Sequence, residues 1–397
     1  MMNTIIFKFK NYIMENRYYS LDVFRGATVA LMILVNNPGS WSFNFPPLKH
    51  AVWHGITPTD LVFPFFLFAV GNAMSFVMPR FEKAGPKAFW KKVTKRAFLI
   101  FAIGLFLNWS PFIKWSSDNE LVLKPWDSLR ILGVLQRIAL SYFFASIIVY
   151  YGKTKWAFIS GMAILLFYWF ICFALGQSND PYSLAGWFGT NIDINILGLS
   201  HMYKGEGVPF DPEGFMSTPA AIVQVIFGFL IGEYIQLKGK NFEMLAHLFI
   251  TGTILLITGY CWDWVFPINK KIWTSSYTIY TTGLAIFSLS ILIFLIEFRA
   301  IKGNWSRFFD VFGKNPLFIF VLSGFLPRVL GLFRWETGMD INGKINYSSP
   351  LSWFYEHLCK PIAVDERIGS LVFALTTVFF YWLIGYLLDK KKIYIKV

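Results

Sequence analysis

Runs of apolar residues recur along this chain, and polar, Gly- and Pro-containing stretches separate them. A hydrocarbon core of ~30 Å takes ~20 residues per helical crossing. On that measure the pattern predicts about ten spans, at 21–36, 60–78, 93–109, 131–150, 156–175, 217–236, 244–262, 276–296, 313–331 and 368–388. The first is the least regular, because Asp22 and Arg25 sit inside it. The ninth is interrupted by Pro316 and Pro327, which helices tolerate only at a start or a kink. No internal repeat, Ser/Gly linker or low-complexity tract divides the chain. One domain over 21–397 is therefore expected, after a leader at 1–20 that is basic but has no continuous apolar core or small-residue cleavage site.

Composition narrows the class. Of the 397 residues 55% are apolar, 20% aromatic and only 15% charged, with a mean hydropathy of +0.50. A soluble globule needs roughly 25% charged residues, so a water-soluble protein is excluded, and so much aromatic burial also excludes disorder, collagen and a coiled coil. The predicted fold is all-α, a polytopic integral membrane protein. Cys172, Cys261 and Cys359 are widely spaced and suggest neither a disulfide framework nor a zinc cluster.

Lysine and arginine are retained on the cytoplasmic side of short loops. With both termini cytoplasmic, that side takes Lys8, Lys10 and Arg17, the basic run from Arg80 to Arg96, Lys153 and Lys155, Lys238 and Lys240, Arg299 to Lys314 and the tail, which together hold most of the 36 basic residues. The formal charge of +13 is then a topology signal, and no nucleic-acid partner is called for. The opposite loops, 37–59, 110–130, 176–216, 263–275 and 332–367, are longer and rich in aromatic and polar residues. Long loops of this kind usually carry function, so the outer face is the expected working face, in a cytoplasmic (inner) membrane.

The densest polar cluster is NNPGSWSFNFPPLKHAVWHGITPTD, from Asn36 to Asp60. His50 and His54 are four apart, as in helical zinc sites. However, Ala51 stands where H-E-x-x-H needs Glu, and Gly55 and Pro58 end any helix, so no metal is expected. An imidazole titrates near neutrality and suits a general base or acyl-accepting nucleophile. The plainer reading is a loop histidine bonded to backbone. Asn36 and Asn37 before Pro38-Gly39 also read as a helix stop, Asp60 as an N-cap for the second span, and Asp22 with Arg25 as an interfacial ion pair. The pattern alone leaves these pairs of readings open.

The blocks LDVFRGATVALMILVN, LKHAVWHGITPTDLVFPFFLFAVG, LRILGVLQRIALSYF, FDPEGFMSTPAAIVQVIFGFLIG, FPINKKIWTSSYTIYTTGLA, FGKNPLFIFVLSG and the KKKIYIKV end occur in the order found in the membrane region of heparan-α-glucosaminide N-acetyltransferase and its bacterial relatives. The sequence resembles that family from Leu21 to Val397. The resemblance implies that acetyl-CoA made in the cytosol donates its acetyl group to an amino sugar across the membrane. It puts the family's histidine on His50 and its asparagine on Asn36. His54 takes a position that is asparagine in the lysosomal enzyme, a further point against metal. The lumenal domain that precedes the first block in lysosomal members has no counterpart here, so a small glucosamine-type acceptor or glycan fragment is the expected substrate. A homodimer is implied as well.

Chemistry fills in the remaining expectations. The anionic part of CoA cannot enter hydrocarbon, so the chain must offer a polar cleft for the pantetheine arm. Arg25 and Arg137 are intramembrane charges that should face it. Lys92, Lys95 and Arg96, with Lys91, should meet the CoA phosphates at the inner mouth, although positive-inside anchoring explains each lysine singly. Asn36 would donate to the developing oxyanion, and Asp60 would orient His50. For the sugar, Trp53, His54, Trp126 and Asp127 supply aromatic faces beside polar groups, against the plainer reading of the outer tryptophans as an interfacial belt. Two rivals are an O-acyltransferase acting on a surface or cell-wall glycan, and a secondary transporter of amino sugars.

Overall fold

The computed structural model describes residues 18–339, 343, 345–362 and 364–395. Most of the expected leader, residues 1–17, and the last two residues of the KKKIYIKV end lie outside that range. The chain is predominantly helical. Its helices are α1 (Tyr19–Asn36), α2 (Val62–Ser75), α3 (Met78–Ala84), α4 (Pro86–Trp109), α5 (Val134–Leu175), α6 (Gly189–Leu197), α7 (Thr218–Lys238), α8 (Phe242–Asp263), α9 (Ser275–Ile293), α10 (Asn304–Lys314), α11 (Pro316–Leu330), α12 (Pro350–Phe354) and α13 (Glu366–Lys390). Two antiparallel hairpins sit in loops, β1 (Ile113–Trp115) with β2 (Leu121–Leu123) and β3 (Trp335–Met339) with β4 (Ile345–Ser348).

Among the described residues six helices are long and apolar enough to cross a membrane, or up to eight if each of two bent pairs is one span. The expected count was ten, and the difference has local causes. α4 carries Lys91, Lys92, Lys95 and Arg96 in its first half, too many charges for an apolar crossing window. The fourth and fifth expected spans run together as the 42-residue α5, broken only at Lys153, whose φ of 53° is left-handed. The two halves of α5 fold back on each other: Arg137 stacks 5.1 Å from the Trp273 ring and Tyr168 Oη donates to Ile272 O at 2.6 Å, while Lys153 and Thr154, at the far end, meet Glu82 and Glu233.

The ninth expected span, 313–331, interrupted in sequence by Pro316 and Pro327, corresponds to α11, Pro316–Leu330. The chain bends by 79° between α10 and α11, because Pro316 cannot donate to the preceding turn and starts a new helix. The break is stitched to the C-terminal tail, where Asn315 Nδ2 donates to Ile393 O and Asn315 Oδ1 accepts from Ile395 N. A gentler bend of 41° separates α2 from α3.

The loops sort to two ends of the bundle. At one end Gly55 N donates to Ile268 O, Trp53 Nε1 to Tyr182 O, Trp115 Nε1 to Leu332 O, and Arg130 pairs with Asp211, so all five long loops touch. At the other end Lys153 pairs with Glu82, Lys240 with Glu297 and Lys314 with Asp389. Between the ends, small residues let helices approach: a Cβ on Gly71 of α2 would lie 2.0 Å from Val225 O of α7, and one on Gly228 would lie 2.1 Å from Phe68 O. This backbone contact, of the kind apolar solvent favours, fixes α2 and the loop ahead of it.

Candidate active site

α1 ends where Asn37 turns its Nδ2 back onto Ile33 O at 2.9 Å, leaving Asn36 as the last helical residue. The loop then crosses the end of the bundle where the five long loops meet and re-enters through a 3₁₀ turn, Pro58–Leu61, capped reciprocally by Thr57 and Asp60. The sequence suggested Asp60 as N-cap of the second span. Instead Thr57 is the N-cap of the 3₁₀ turn and Asp60, its third residue, returns the capping bond, while Leu61 ahead of α2 makes no side-chain cap. The Asp60 carboxylate does more than cap. Oδ2 accepts from Thr57 N and Ala51 N, each at 3.0 Å, and Oδ1 lies 2.7 Å from His50 Nδ1. Tyr277 Oη of α9 donates to the Asp60 carbonyl at 2.6 Å. Asp60 is 1% exposed and His50 45%, so a buried carboxylate holds an accessible ring. With Asp60 ionised, a proton on Nδ1 satisfies this bond, and Nε2 is then the basic nitrogen of the ring.

A third group joins this pair. Lys270 Nζ lies 3.0 Å from His50 Nδ1, 3.4 Å from Nε2 and 3.4 Å from Asp60 Oδ1. Burial pushes its ammonium below the ordinary lysine value, against the pull of Asp60 and Glu213. Glu213 is in turn held by Arg130, which also grips Asp211 with two bonds at 3.0 and 2.6 Å. Burial alone would favour a neutral Arg130, and the two carboxylates outweigh it and raise its pKa.

A cavity of about 120 Å³ opens among His50, Lys270, Glu213 and Asn36 and runs inward to Met32, Phe66 and Ile138. Those three residues lie four positions inward from Asn36, Val62 and Val134, about 6 Å along a helix. The cavity is thus a largely apolar slot with polar groups at its mouth, about one helical turn deep. Among the described residues no cluster of three His, Cys, Asp or Glu is placed to hold a metal ion.

Of the residues expected from sequence, the structure brings His50, Asp60 and Asn36 together and leaves others elsewhere. Arg25 donates to Gly313 O and to Asp22 Oδ1 at 2.9 Å, clamping α1 to α10. Arg137 is fully buried, donates to Gly214 O at 3.1 Å and to Ser217 Oγ, and lies in the first turn of α5. Neither lines the cavity. Lys92 and Lys95 are exposed on α4, and Arg96 lies 4.9 Å over the Tyr142 ring. Trp53 packs edge-on against Phe210, with Lys271 over its ring. His54 Nδ1 is 3.4 Å from Asn269 Nδ2 and turns away from His50's partners. Trp126 is exposed against Trp109, beside exposed Asp127, and neither lines the cavity. Lys270 and Glu213 were not anticipated individually, although both lie in the blocks FPINKKIW and FDPEGF that carried the resemblance.

Residues 17–191, which contain His50, Asp60 and Asn36, match the family model described as heparan-alpha-glucosaminide N-acetyltransferase, catalytic. Two curated relatives, the heparan-alpha-glucosaminide N-acetyltransferases of Mus musculus and Homo sapiens, are each 26% identical over 96% of this chain, covering 61% and 60% of their own lengths. The chain thus spans about three fifths of the curated relatives it matches. The match at the site-bearing segment, together with similarity over almost the whole chain, makes this multi-pass membrane protein similar to the heparan-alpha-glucosaminide N-acetyltransferases.

Proposed function

We propose that the protein transfers an acetyl group from cytosolic acetyl-CoA to the amino group of a glucosamine-type sugar on the opposite face of the membrane. The observation that carries this reading is the His50–Asp60 pair at the mouth of a slot between α1, α2 and α5. In direct transfer the neutral amine attacks the thioester carbonyl, forming the C–N bond and expelling the CoA thiolate. His50 Nε2 takes the amine proton and returns it to the thiolate. In the two-step form Nε2 attacks the thioester carbonyl and expels the CoA thiolate, and the amine then attacks the acetyl-imidazole, breaking the C–N bond to Nε2 and passing its proton to the departing imidazole. Asn36, across the slot, donates to the oxyanion in either route, a contribution of about 3 kcal/mol when geometry is favourable. Asp60 holds the ring in its Nδ1–H form, and Lys270 adds positive charge beside the reacting carbon.

The apolar slot suits an acetyl thioester and the end of its arm, whereas the CoA nucleotide has no room there. Met32, Phe66 and Ile138 must therefore move aside for an arm arriving from within. Arg96 and Lys92 and Lys95 of α4 remain the proposed phosphate contacts at the inner end. Arg25 and Arg137 act by fixing α1 and the loop that carries Glu213, and Trp53 and His54 flank the outer approach. The loops carrying most of the lysines are taken as cytoplasmic, in an inner membrane. Residues 21–397 act as one catalytic unit, with homodimer formation carried over from the family.

Purified protein given acetyl-CoA and a panel of amino sugars should yield an acetamide, read by mass and by its resistance to mild base. An alkali-labile ester would instead make it an O-acyltransferase. Sugar uptake into vesicles free of acetyl-CoA would make it a transporter.

A further inference from the structure

The slot beside His50 has two kinds of wall. Met32, Phe66 and Ile138 form its floor, and Val62 and Phe63 of α2 with Val134 of α5 form its sides. Its volume is about 120 Å³. A cavity of about 150 Å³ holds benzene, so by that measure this one takes about five heavy atoms. The methyl, carbonyl and sulfur of an acetyl thioester use nearly all of that space. A longer acyl chain would fit only if a wall gave way.

The wall at Phe63 is the part least able to yield. Its ring is 7% exposed and meets Trp273 edge-on at 5.0 Å. Trp273 is held in turn by Tyr277, at 5.3 Å, and by the Arg137 guanidinium, at 5.1 Å. Its φ of 50° is left-handed, a conformation that a bulky residue keeps only where its surroundings impose it. Tyr277 also donates to the Asp60 carbonyl. The rings that back Phe63 therefore also fix the residue that holds His50, and the wall keeps its place relative to the reacting carbon. The floor differs, because Met32 is unbranched and adapts its shape readily, which suits an arm passing inward. With the carbonyl oxygen at the polar mouth beside Asn36, the acyl carbons are left facing the apolar sides.

We propose that Phe63, backed by Trp273, limits the transferred acyl group to acetyl, so that the slot is an acyl-length filter. This rests on the acetyltransferase reading above and adds the residue that sets its donor class. The chemistry is the same for a longer donor: the amine forms the C–N bond, the C–S bond breaks, and the amine proton ends on the CoA thiolate.

The test gives the purified full chain glucosamine with acetyl-, propionyl- or butyryl-CoA in turn and quantifies the amide products by mass. One misfitting methylene in an apolar pocket changes kcat/KM by about 10–200-fold. Wild type should therefore prefer acetyl- to propionyl-CoA by about tenfold or more and reject butyryl-CoA more strongly. Phe63→Ala should raise the butyryl-to-acetyl ratio by about tenfold or more, with Phe63→Leu in between. Val134→Ala should raise it as well, and decides the matter if Phe63→Ala does not fold or is inactive with every donor. Equal use of the three donors by wild type, or a ratio unmoved in folded, active Phe63→Ala or in Val134→Ala where that variant decides, overturns the filter while leaving acetyl transfer in place. Amide from none of the donors overturns the underlying reading instead.

Discussion

His50→Ala is expected to lower acetyl transfer by about 10²–10⁴-fold, the range general acid–base groups contribute, while the protein still inserts and folds. The ring is nearly half exposed and its polar contacts are Asp60 and Lys270, so its loss opens no core cavity. Asp60 keeps its two backbone donors and Lys270. The fall should be in kcat, because the imidazole handles a proton in the transition state more than it holds either substrate. Initial rates and thermal midpoints measured on the same detergent-purified samples separate chemistry from folding. A well-folded variant with wild-type rates would remove His50 from the reaction.

Asp60→Asn should cost both activity and stability. The carboxylate accepts from Thr57 N, Ala51 N and His50 and faces Lys270. An amide offers one acceptor oxygen in place of two and turns an NH₂ toward one set of those donors. Breaking a buried charge pair from one side typically costs about 3–5 kcal/mol, here because Lys270 loses its nearest carboxylate. His50 also loses the acceptor that fixes its tautomer, a change worth up to about 10⁴-fold in a comparable triad. The expected pattern is a kcat loss approaching that of His50→Ala together with a lowered thermal midpoint, and the double variant should be little worse in rate than either single one. Additive losses would mean that Asp60 acts independently of the ring.

Helices of the bundle were legible because apolar runs of membrane length are the strongest periodic signal a chain carries. The exact crossings were less so. Lys153 breaks α5 with a single left-handed residue, too brief to mark a boundary, and the sharp turn at Pro316 depends on a tail that stitches it eighty residues away in sequence. The site was half legible for a similar reason. His50 and Asp60 fall within one short cluster whose turn chemistry brings them together. Lys270 and Glu213 arrive from separate loops, and a lysine in a basic, aromatic loop has nothing local to distinguish it from an anchor. Arg25 and Arg137 were read as lining a cleft because charges in apolar segments are costly. The structure meets that cost for Arg25 with Gly313 O and Asp22, and for Arg137 in part, with Gly214 O, Ser217 and the Trp273 face, while its Nε and Nη1 have no hydrogen-bond partner.

Transfer across the bilayer is best examined in sealed proteoliposomes of known orientation, with acetyl-CoA confined to the face bearing Lys153, Lys240 and Lys314 and the amino sugar to the face bearing His50. Acetylated sugar should accumulate on the His50 side while CoA is released on the other, and His50→Ala vesicles should form neither. Product formed only when donor and acceptor share one compartment would contradict a slot fed from within.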